Sequence, residues 1–500
     1  MFKSIKHYRK PFTFILTICI MFASINLFSL ADNENSTDVE ASLDTVKEYK
    51  MNEAPDVLVN SIKSHLDKSN LNAYTIVETE DLDSITVKHP DGKYSISNFG
   101  IPVKYINRTG EIKFIDNSFK ELDISESVSD NYDYKNKSNV FDVEYSKNPM
   151  NGVRISHNNY EIKMSLFEEP TDIEITAEIK KDSTPSEAEA FKYNNAFGKN
   201  TYINYYNTIN GIKEDIILEK NINQNKFDFF VNADNTIPVL SEDSTIVNFV
   251  DANNMDNVIY VMEPLFAFDS FANSEQDKIL IDKSEEKGLE SQNTDDEKTY
   301  ADNHVTYDCH YEIETLETGG YKITIVVSEE WLNHPETVYP VTIDPSIYYY
   351  GLQYTAQSTF VTSGSPNKVY STDVYAKNFL ALGGYNGYTY SYLKFPTLPA
   401  LPTGAIYTQA YLDLRIYAGS VHRYIDVALA AGAWNESTLK YSNQPWPSEM
   451  VHGYIAPVGS NFYQATVTTA VRDWYTGTKP NNGFFIMITI LQQVQLVQQG

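Results

Sequence analysis

Carboxylates, histidines and a lone internal cysteine are the groups with which this chain could break bonds, and few of them fall into useful patterns. Asp426 with Glu436, or Glu329 with Glu330, would supply the two carboxyls of a glycosidase. The separation such a pair needs is set by the fold, however, and neighbouring acids on a surface are usually only solvated. His304, Cys309 and His310 lie close enough in sequence to suggest a metal site. Zinc takes four ligands and no fourth adjoins them, so a plain strand is the simpler reading. No Gly-x-Ser-x-Gly, His-Glu-x-x-His, phosphate-binding loop or Cys-x-x-Cys occurs. The acidic tracts at 180–189 and 283–302 lack the turn glycine amid alternating oxygen ligands that calcium requires, and they read as solvated loops. No cofactor is expected, a calcium site has no motif behind it, and the chain reads as a non-enzyme.

Aromatic side chains offer a different chemistry. Sugars present C–H faces that stack on aromatic rings, with polar groups holding the hydroxyl rim. Outward candidates in the last third of the chain are Tyr388, Tyr390, Tyr392, Tyr411, Tyr417, Trp446 and Tyr454. Lys394, Arg415 and Arg423 would be available to an acidic sugar such as a uronate. Trp434 and Trp474 sit beside apolar neighbours and are assigned to the core. Trp446 lies in a loop between Pro445 and Pro447, where exposure and burial are equally open.

The elements that must hold these residues follow from composition and periodicity. Lys3, Lys6, Arg9 and Lys10 precede an apolar run from Phe12 to Leu30 that ends at Ser29-Leu30-Ala31, the layout of a secretory signal peptide over residues 1–31. With the leader gone, Cys309 is the only cysteine, so no intramolecular disulfide can form. Export without disulfides suits a bacterial source. The formal charge of −28 is uneven: residues 346–500 carry six acids and eight bases, the leader carries four bases, and residues 32–345 are left with −34. So acidic a middle would repel nucleic acid and anionic lipid, and two such different surfaces imply two modules.

Residues 32–71 read as a polar linker with a short helix, in which Leu58, Ile62 and Leu66 share a face with Val59. From Tyr74 onward, short runs of Ile, Val, Tyr, Phe and Thr are broken by turn signals such as Pro90-Asp91-Gly92 and Asn210-Gly211. Ile112–Ile115, Tyr160–Met164 and Tyr321–Val326 are expected to be strands with one buried face. Pro335, Pro340 and Pro345 force extended backbone and mark a boundary near Pro345 between an acidic β-rich module, 72–345, and a second module, 346–490. In the second module Leu393 and Phe395, then Leu412, Leu414 and Ile416, should point inward, with Asp413 and Arg415 outward. Thr468–Tyr475 should be a helix, with Val471 and Trp474 on one face. The fold class expected is mostly β: an acidic β-rich N-terminal module followed by a jelly-roll β-sandwich.

Four motifs occur in order: Ser391-Tyr392-Leu393-Lys394-Phe395; Pro402-Thr403-Gly404-Ala405; Trp434-Asn435-Glu436-Ser437-Thr438 with Asn443-Gln444-Pro445; and Val471-Arg472-Asp473-Trp474 with Asn481-Asn482-Gly483-Phe484. Together they resemble the DNRLRE-type domain, a jelly roll related to carbohydrate-binding modules. Gly211–Leu218 and the Trp331–Pro345 junction resemble the β-rich segment that precedes this domain in bacterial wall-associated and RHS-repeat (YD-repeat) surface proteins. Ser358 stands where that family usually has an Asp, and residues 491–500 look unrelated to it. The resemblance implies a secreted, non-catalytic, cell-surface protein whose partner is an extracellular or cell-wall polysaccharide. Neither nucleic acid nor, after leader removal, membrane is expected as a partner. The alternatives are a structural stalk or fragment of a larger RHS-type surface or toxin protein, and a polysaccharide-degrading enzyme.

Overall fold

The computed structural model describes residues 23–31, 47–63, 66–122, 131–171, 173–180, 189–270, 304–352, 355–371, 388–401, 405–415, 424–455, 457–459 and 462–489. The structure is mostly β, as the alternating sequence requires. Tyr160–Leu166 is a strand that buries Ile162 and Met164 about an exposed-side Lys163 and then runs into a fully buried end. Tyr321–Val327 buries its last five residues in succession and so both its faces, and Ile112–Phe114 pairs with Lys104–Ile106 in a small two-stranded sheet. No helix among the described residues is long and apolar enough to cross a membrane.

The middle of the chain is a sandwich of two sheets. One has eight strands in the order Cys309–Thr315, Tyr321–Val327, Lys226–Asp234, Tyr160–Leu166, Val153–His157, Asp142–Tyr145, Tyr134–Ser138 and Asp116–Glu121. The other is built around Gly211–Leu218. Aromatic and branched side chains from both, including Phe141, Tyr145, Phe191, Tyr205, Phe227, Phe249 and Tyr311, form one core. Burial alone holds it, because Cys309 is buried and unpaired; burial pushes its thiol up to about 12 and leaves it inert.

The proline-rich junction does not lead the chain away from this sandwich. Val341–Asp344 and Ser346–Tyr349 both pair with Gly211–Leu218, the second also with Asn254–Met262, so the sandwich runs past Pro345 to Tyr349. Gly211 lets the backbones meet: a Cβ there would lie 2.1 Å from the Ile347 carbonyl oxygen. Residues 32–71 were expected to be mostly linker. In the structure, Glu48–Lys50 and the helix Asp56–Ile62 pack with Thr75–Val77, Ser84–Lys88 and Tyr94–Asn98 as a layer of their own, with Leu58, Ile62 and Leu66 buried beneath it.

The C-terminal sandwich faces the sheet Gln357–Thr362, Thr389–Lys394, Phe484–Thr489, Tyr424–Ala430 and Pro447–Ile455 against a second sheet holding Ala405–Arg415, Phe462–Thr466 and Pro457–Gly459. Leu393, Phe395, Leu412, Leu414, Val427, Phe484 and Ile486 fill the space between, closed by Val471 and Trp474 of the helix Thr468–Tyr475. The second sheet continues into the N-terminal layer through Ala23–Ala31, whose backbone pairs with Ala405–Arg415 on one side and Tyr94–Asn98 on the other. Residues 1–22 of the expected leader lie outside the described residues. Removing residues 1–31 as a leader would leave both of those strand edges unpaired.

The layer and the C-terminal sandwich also meet directly. Thr355 and Ala356 donate backbone hydrogen bonds to the Gly100 carbonyl, Asn98 Nδ2 donates to the Thr397 carbonyl, and Ile96 joins the C-terminal core. Gly100 has φ +65°, and a Cβ there would lie 2.6 Å from Ala356 Cβ. Gly100→Ala is therefore expected to cost about 1–3 kcal/mol in denaturant unfolding. An unchanged unfolding midpoint would show that the two parts do not join at this turn.

Among the buried ionisable groups, Glu214 has the least compensation. Glu214 is buried on Gly211–Leu218 beside Tyr205 and Tyr311, and neither carboxyl oxygen has a hydrogen-bond partner. Burial, then the nearby Asp215 and Asp344, raises its pKa well above the ordinary value, so the folded chain keeps this proton. Lys213 pairs with Asp215 and with Asp344 Oδ2 at 3.0 Å, yet burial still raises Asp215 to about 6. Both folded pKa values are raised, so their contribution is full below the unfolded carboxyl pKa and is lost as pH climbs through the folded values. Melting temperature should fall as pH climbs from the unfolded carboxyl range through about 6, where Asp215 ionises, and onward as Glu214 does, and Glu214→Gln should flatten that fall, leaving the part due to Asp215. Identical pH profiles for the variant and the parent would contradict this.

Candidate functional site

The strand Thr389–Lys394 alternates Tyr390, Tyr392 and Lys394 on one face with Ser391 and Leu393 on the other. Leu393 enters the inter-sheet core, so the tyrosine face points away from it. That outer face is not bare: the segment from Trp434 to Trp446 folds over its inner half. Trp434 packs edge-on to Tyr392 with centroids 5.5 Å apart, and Leu439 and Phe485 complete a small second core. The Trp434 indole donates to the Asn482 carbonyl at 2.7 Å. Inside the loop, Thr438 and Leu439 donate to the Asn435 carbonyl, and Ser442 donates to the Pro366 carbonyl.

This loop corrects two expected roles. Tyr392 is 0% exposed, and its hydroxyl lies 2.9 Å from Gln444 Oε1 and 3.0 Å from the Pro445 carbonyl oxygen, so it clamps the loop and cannot touch a ligand. Lys394 Nζ donates to the Trp434 carbonyl at 3.3 Å and lies 5.0 Å from the Trp434 ring centroid. Burial lowers its pKa against the opposing pull of Glu436. Its ammonium is engaged with the loop, which takes away one of the three cations expected to meet a uronate.

Past the clamp, the same face opens to solvent. Tyr390 lies 6.1 Å from Tyr441 with planes 13° apart, and Trp446 stands edge-on to both, at 5.8 and 5.9 Å. Trp446 is 52% exposed and Tyr388, one strand step away, is 69% exposed. Three rings that pin one another while one indole remains half open make a preorganised apolar surface. Tyr441 was not singled out from sequence; its place in the loop with Trp446 was the only signal, and ring contact across a loop is not periodic.

The remaining candidates are not assembled here. Tyr411 is half-buried on Ala405–Arg415, in the opposite sheet from Trp446, and the Arg415 backbone ends that strand. Tyr417 and Arg423 lie outside the described residues. Asp413, expected outward, is buried in mid-sheet and accepts from Gln464 Nε2 at 3.0 Å. Trp434 and Trp474 are core, as expected. Glu436 accepts from the Ser358 amide at 3.1 Å, a structural contact. No group of three or more His, Cys, Asp or Glu able to hold a metal occurs among the described residues.

Residues 352–496 match carbohydrate-binding module family 96. The match is to that family and not to the narrower DNRLRE-type domain, and it takes in residues 491–496, which had looked unrelated. The chain is also 24% identical over 385 residues to the tRNA3(Ser)-specific nuclease WapA of Bacillus spizizenii and to the tRNA nuclease WapA of Bacillus subtilis (strain 168). Each alignment covers 72% of this chain and 14% of the relative. No solved structure matches the chain. The chain thus has a C-terminal carbohydrate-binding jelly-roll module and homology to WapA-type bacterial proteins.

Replacing Tyr392 by Phe would remove the one hydroxyl proton that the Gln444 Oε1 and Pro445 carbonyl acceptors share beneath the loop. Tyr392→Phe is expected to lower stability by about 1–3 kcal/mol in chemical denaturation. Stability equal to the parent would show that the hydroxyl does not hold the loop.

Proposed function

We propose that this chain is a non-catalytic segment of a larger, exported bacterial surface protein, in which the C-terminal module holds extracellular polysaccharide against Tyr390, Tyr441 and Trp446. One observation carries the reading: the half-open aromatic cluster lies on the module that matches a carbohydrate-binding family. A flat, exposed indole braced by two tyrosines is suited to the C–H face of a pyranose ring. With Lys394 tied to Trp434, the described part of the cluster favours stacking over charge recognition, so neutral sugars should bind at least as well as uronates. The 14% coverage of the WapA relatives supports the place in a longer protein, with the middle sandwich as a spacer. The nuclease activity in those relatives' names is not assigned to this segment.

Affinity electrophoresis of the full chain through gels cast with alginate, a neutral β-glucan or purified wall polysaccharide tests the reading. Retention is expected on at least one polymer, and Trp446→Ala should reduce it tenfold or more, a loss in line with about 1–3 kcal/mol for an aromatic contact. Absence of retention on every polymer, or retention unchanged in Trp446→Ala, would overturn it. Incubation with total tRNA is expected to show no cleavage.

A further inference from the structure

A second concave surface lies on the middle sandwich, on the outer face of its eight-stranded sheet. Strand register builds it from two rows. Lys120 faces Lys135, Lys135 faces Glu144, Glu144 faces Arg154 and Arg154 faces Lys163. Two residues along each strand, about 7 Å away, Asp142 faces Ser156, Ser156 faces Glu161 and Glu161 faces Asp234. A mostly basic row therefore runs beside an acidic one, and the two neutralise each other. Arg154 pairs with Glu144 and lies 3.6 Å from Glu161; Lys163 lies 2.9 Å from Glu161, and Lys135 lies 3.4 Å from Asp142. The Arg154 guanidinium also rests over the Tyr132 ring, 4.6 Å from its centroid.

One end of the concavity is closed by the hairpin at Asn158 and by the corner at Asn235, where Lys226–Asp234 passes into Thr236–Leu240 of the other sheet. Asn158 and Asn235 adopt φ +54° and +58°, and Asn235 Nδ2 donates to the Asn159 carbonyl at 2.6 Å. Tyr160 stands at the same end, its hydroxyl fixed on Asp251 Oδ2 at 2.8 Å. The resulting space is about 580 Å³ and open on one side, within the range of small-ligand sites. Its lining is polar, and its charges already have partners. An anion or cation entering it would compete with those pairs and gain little net field. A neutral ligand with many hydroxyls loses nothing by this arrangement, because each fixed carboxylate, amide and ammonium keeps unused hydrogen-bonding capacity.

We propose that this concavity is a second saccharide site, for a neutral, hydroxyl-rich chain, in the acidic module. It rests on register and charge pairing and does not depend on the C-terminal aromatic cluster. If both sites engage one polymer, the second contact becomes intramolecular and retention rises without any new interaction.

Titration calorimetry of the full chain with cellohexaose and chitohexaose, and with polygalacturonate as a charged comparison, tests the proposal. Two sites per chain are expected for at least one neutral hexasaccharide, one of them surviving in Trp446→Ala. In that background Ser156→Trp, which fills the concavity, should abolish the surviving site. Lys135→Ala with Asp142→Ala, both on the solvent face, should weaken it tenfold or more at an unchanged melting temperature. Loss of all binding in Trp446→Ala alone would overturn the second site while leaving the C-terminal one in place. Binding unaffected by both concavity variants, no binding of either neutral hexasaccharide, or capture of polygalacturonate alone would also overturn it. Survival of two unchanged sites in Trp446→Ala would instead count against the aromatic cluster.

Discussion

The hydrogen bonds from a single buried hydroxyl organise the C-terminal module's outer face. Tyr392 lies at the centre of that face, with its oxygen between Gln444 and the Pro445 carbonyl and its ring against Trp434 and Phe485. Those contacts draw the Trp434–Trp446 segment down over half the sheet. The loop then ends with Trp446 beside Tyr390 and Tyr441, and the open aromatic surface exists because the covered half is anchored. Lys394, donating to the Trp434 carbonyl from the same face, serves the same anchoring and so is lost to ligand chemistry.

A similar economy of charge marks the middle sandwich. The −34 carried by residues 32–345 suggests a strongly acidic field, but on the eight-stranded sheet the register sets cations and anions in adjacent rows that cancel locally. Net charge describes how the module repels distant polyanions. It does not describe what the sheet face offers at contact distance, which is a lattice of positioned donors and acceptors. Inside the same module Lys213 and Asp215 lie on the strand that also carries Glu214, and Lys213 reaches across to Asp344 of the junction strand docked beside it.

Much of the fold was legible in the sequence because periodicity reports which side of a strand is apolar. The inward placement of Leu393, Phe395, Leu412 and Leu414, the helix Thr468–Tyr475 and the burial of Trp434 and Trp474 follow from alternation and from apolar neighbours. What alternation cannot report is whether a polar-looking outer face is later covered. Tyr392 and Asp413 were expected to meet solvent for that reason; a loop covers the first, and the second lies in mid-sheet. Pro345 misled in a related way: extended backbone next to proline suits a linker, yet Ser346–Tyr349 is just as suited to a ladder with Gly211–Lys213. The layer at 48–103 was not set apart because its strands are short and pair with one another in sequence order, as the strands of the neighbouring module also do. The candidate site was half legible, since Trp446 and Tyr390 were named while Tyr441 depends on a loop contact that no pattern encodes.

The central claim is that Trp446, held half-open by the clamped loop, meets polysaccharide. Acrylamide quenching of tryptophan fluorescence in the full chain, with and without a polymer that retains it, tests this most directly, because Trp434 and Trp474 are buried and Trp331 is partly so. The account predicts a quenchable fraction that polymer protects and that is absent from Trp446→Ala. Polymer that binds the chain but leaves that fraction as quenchable as before would contradict it.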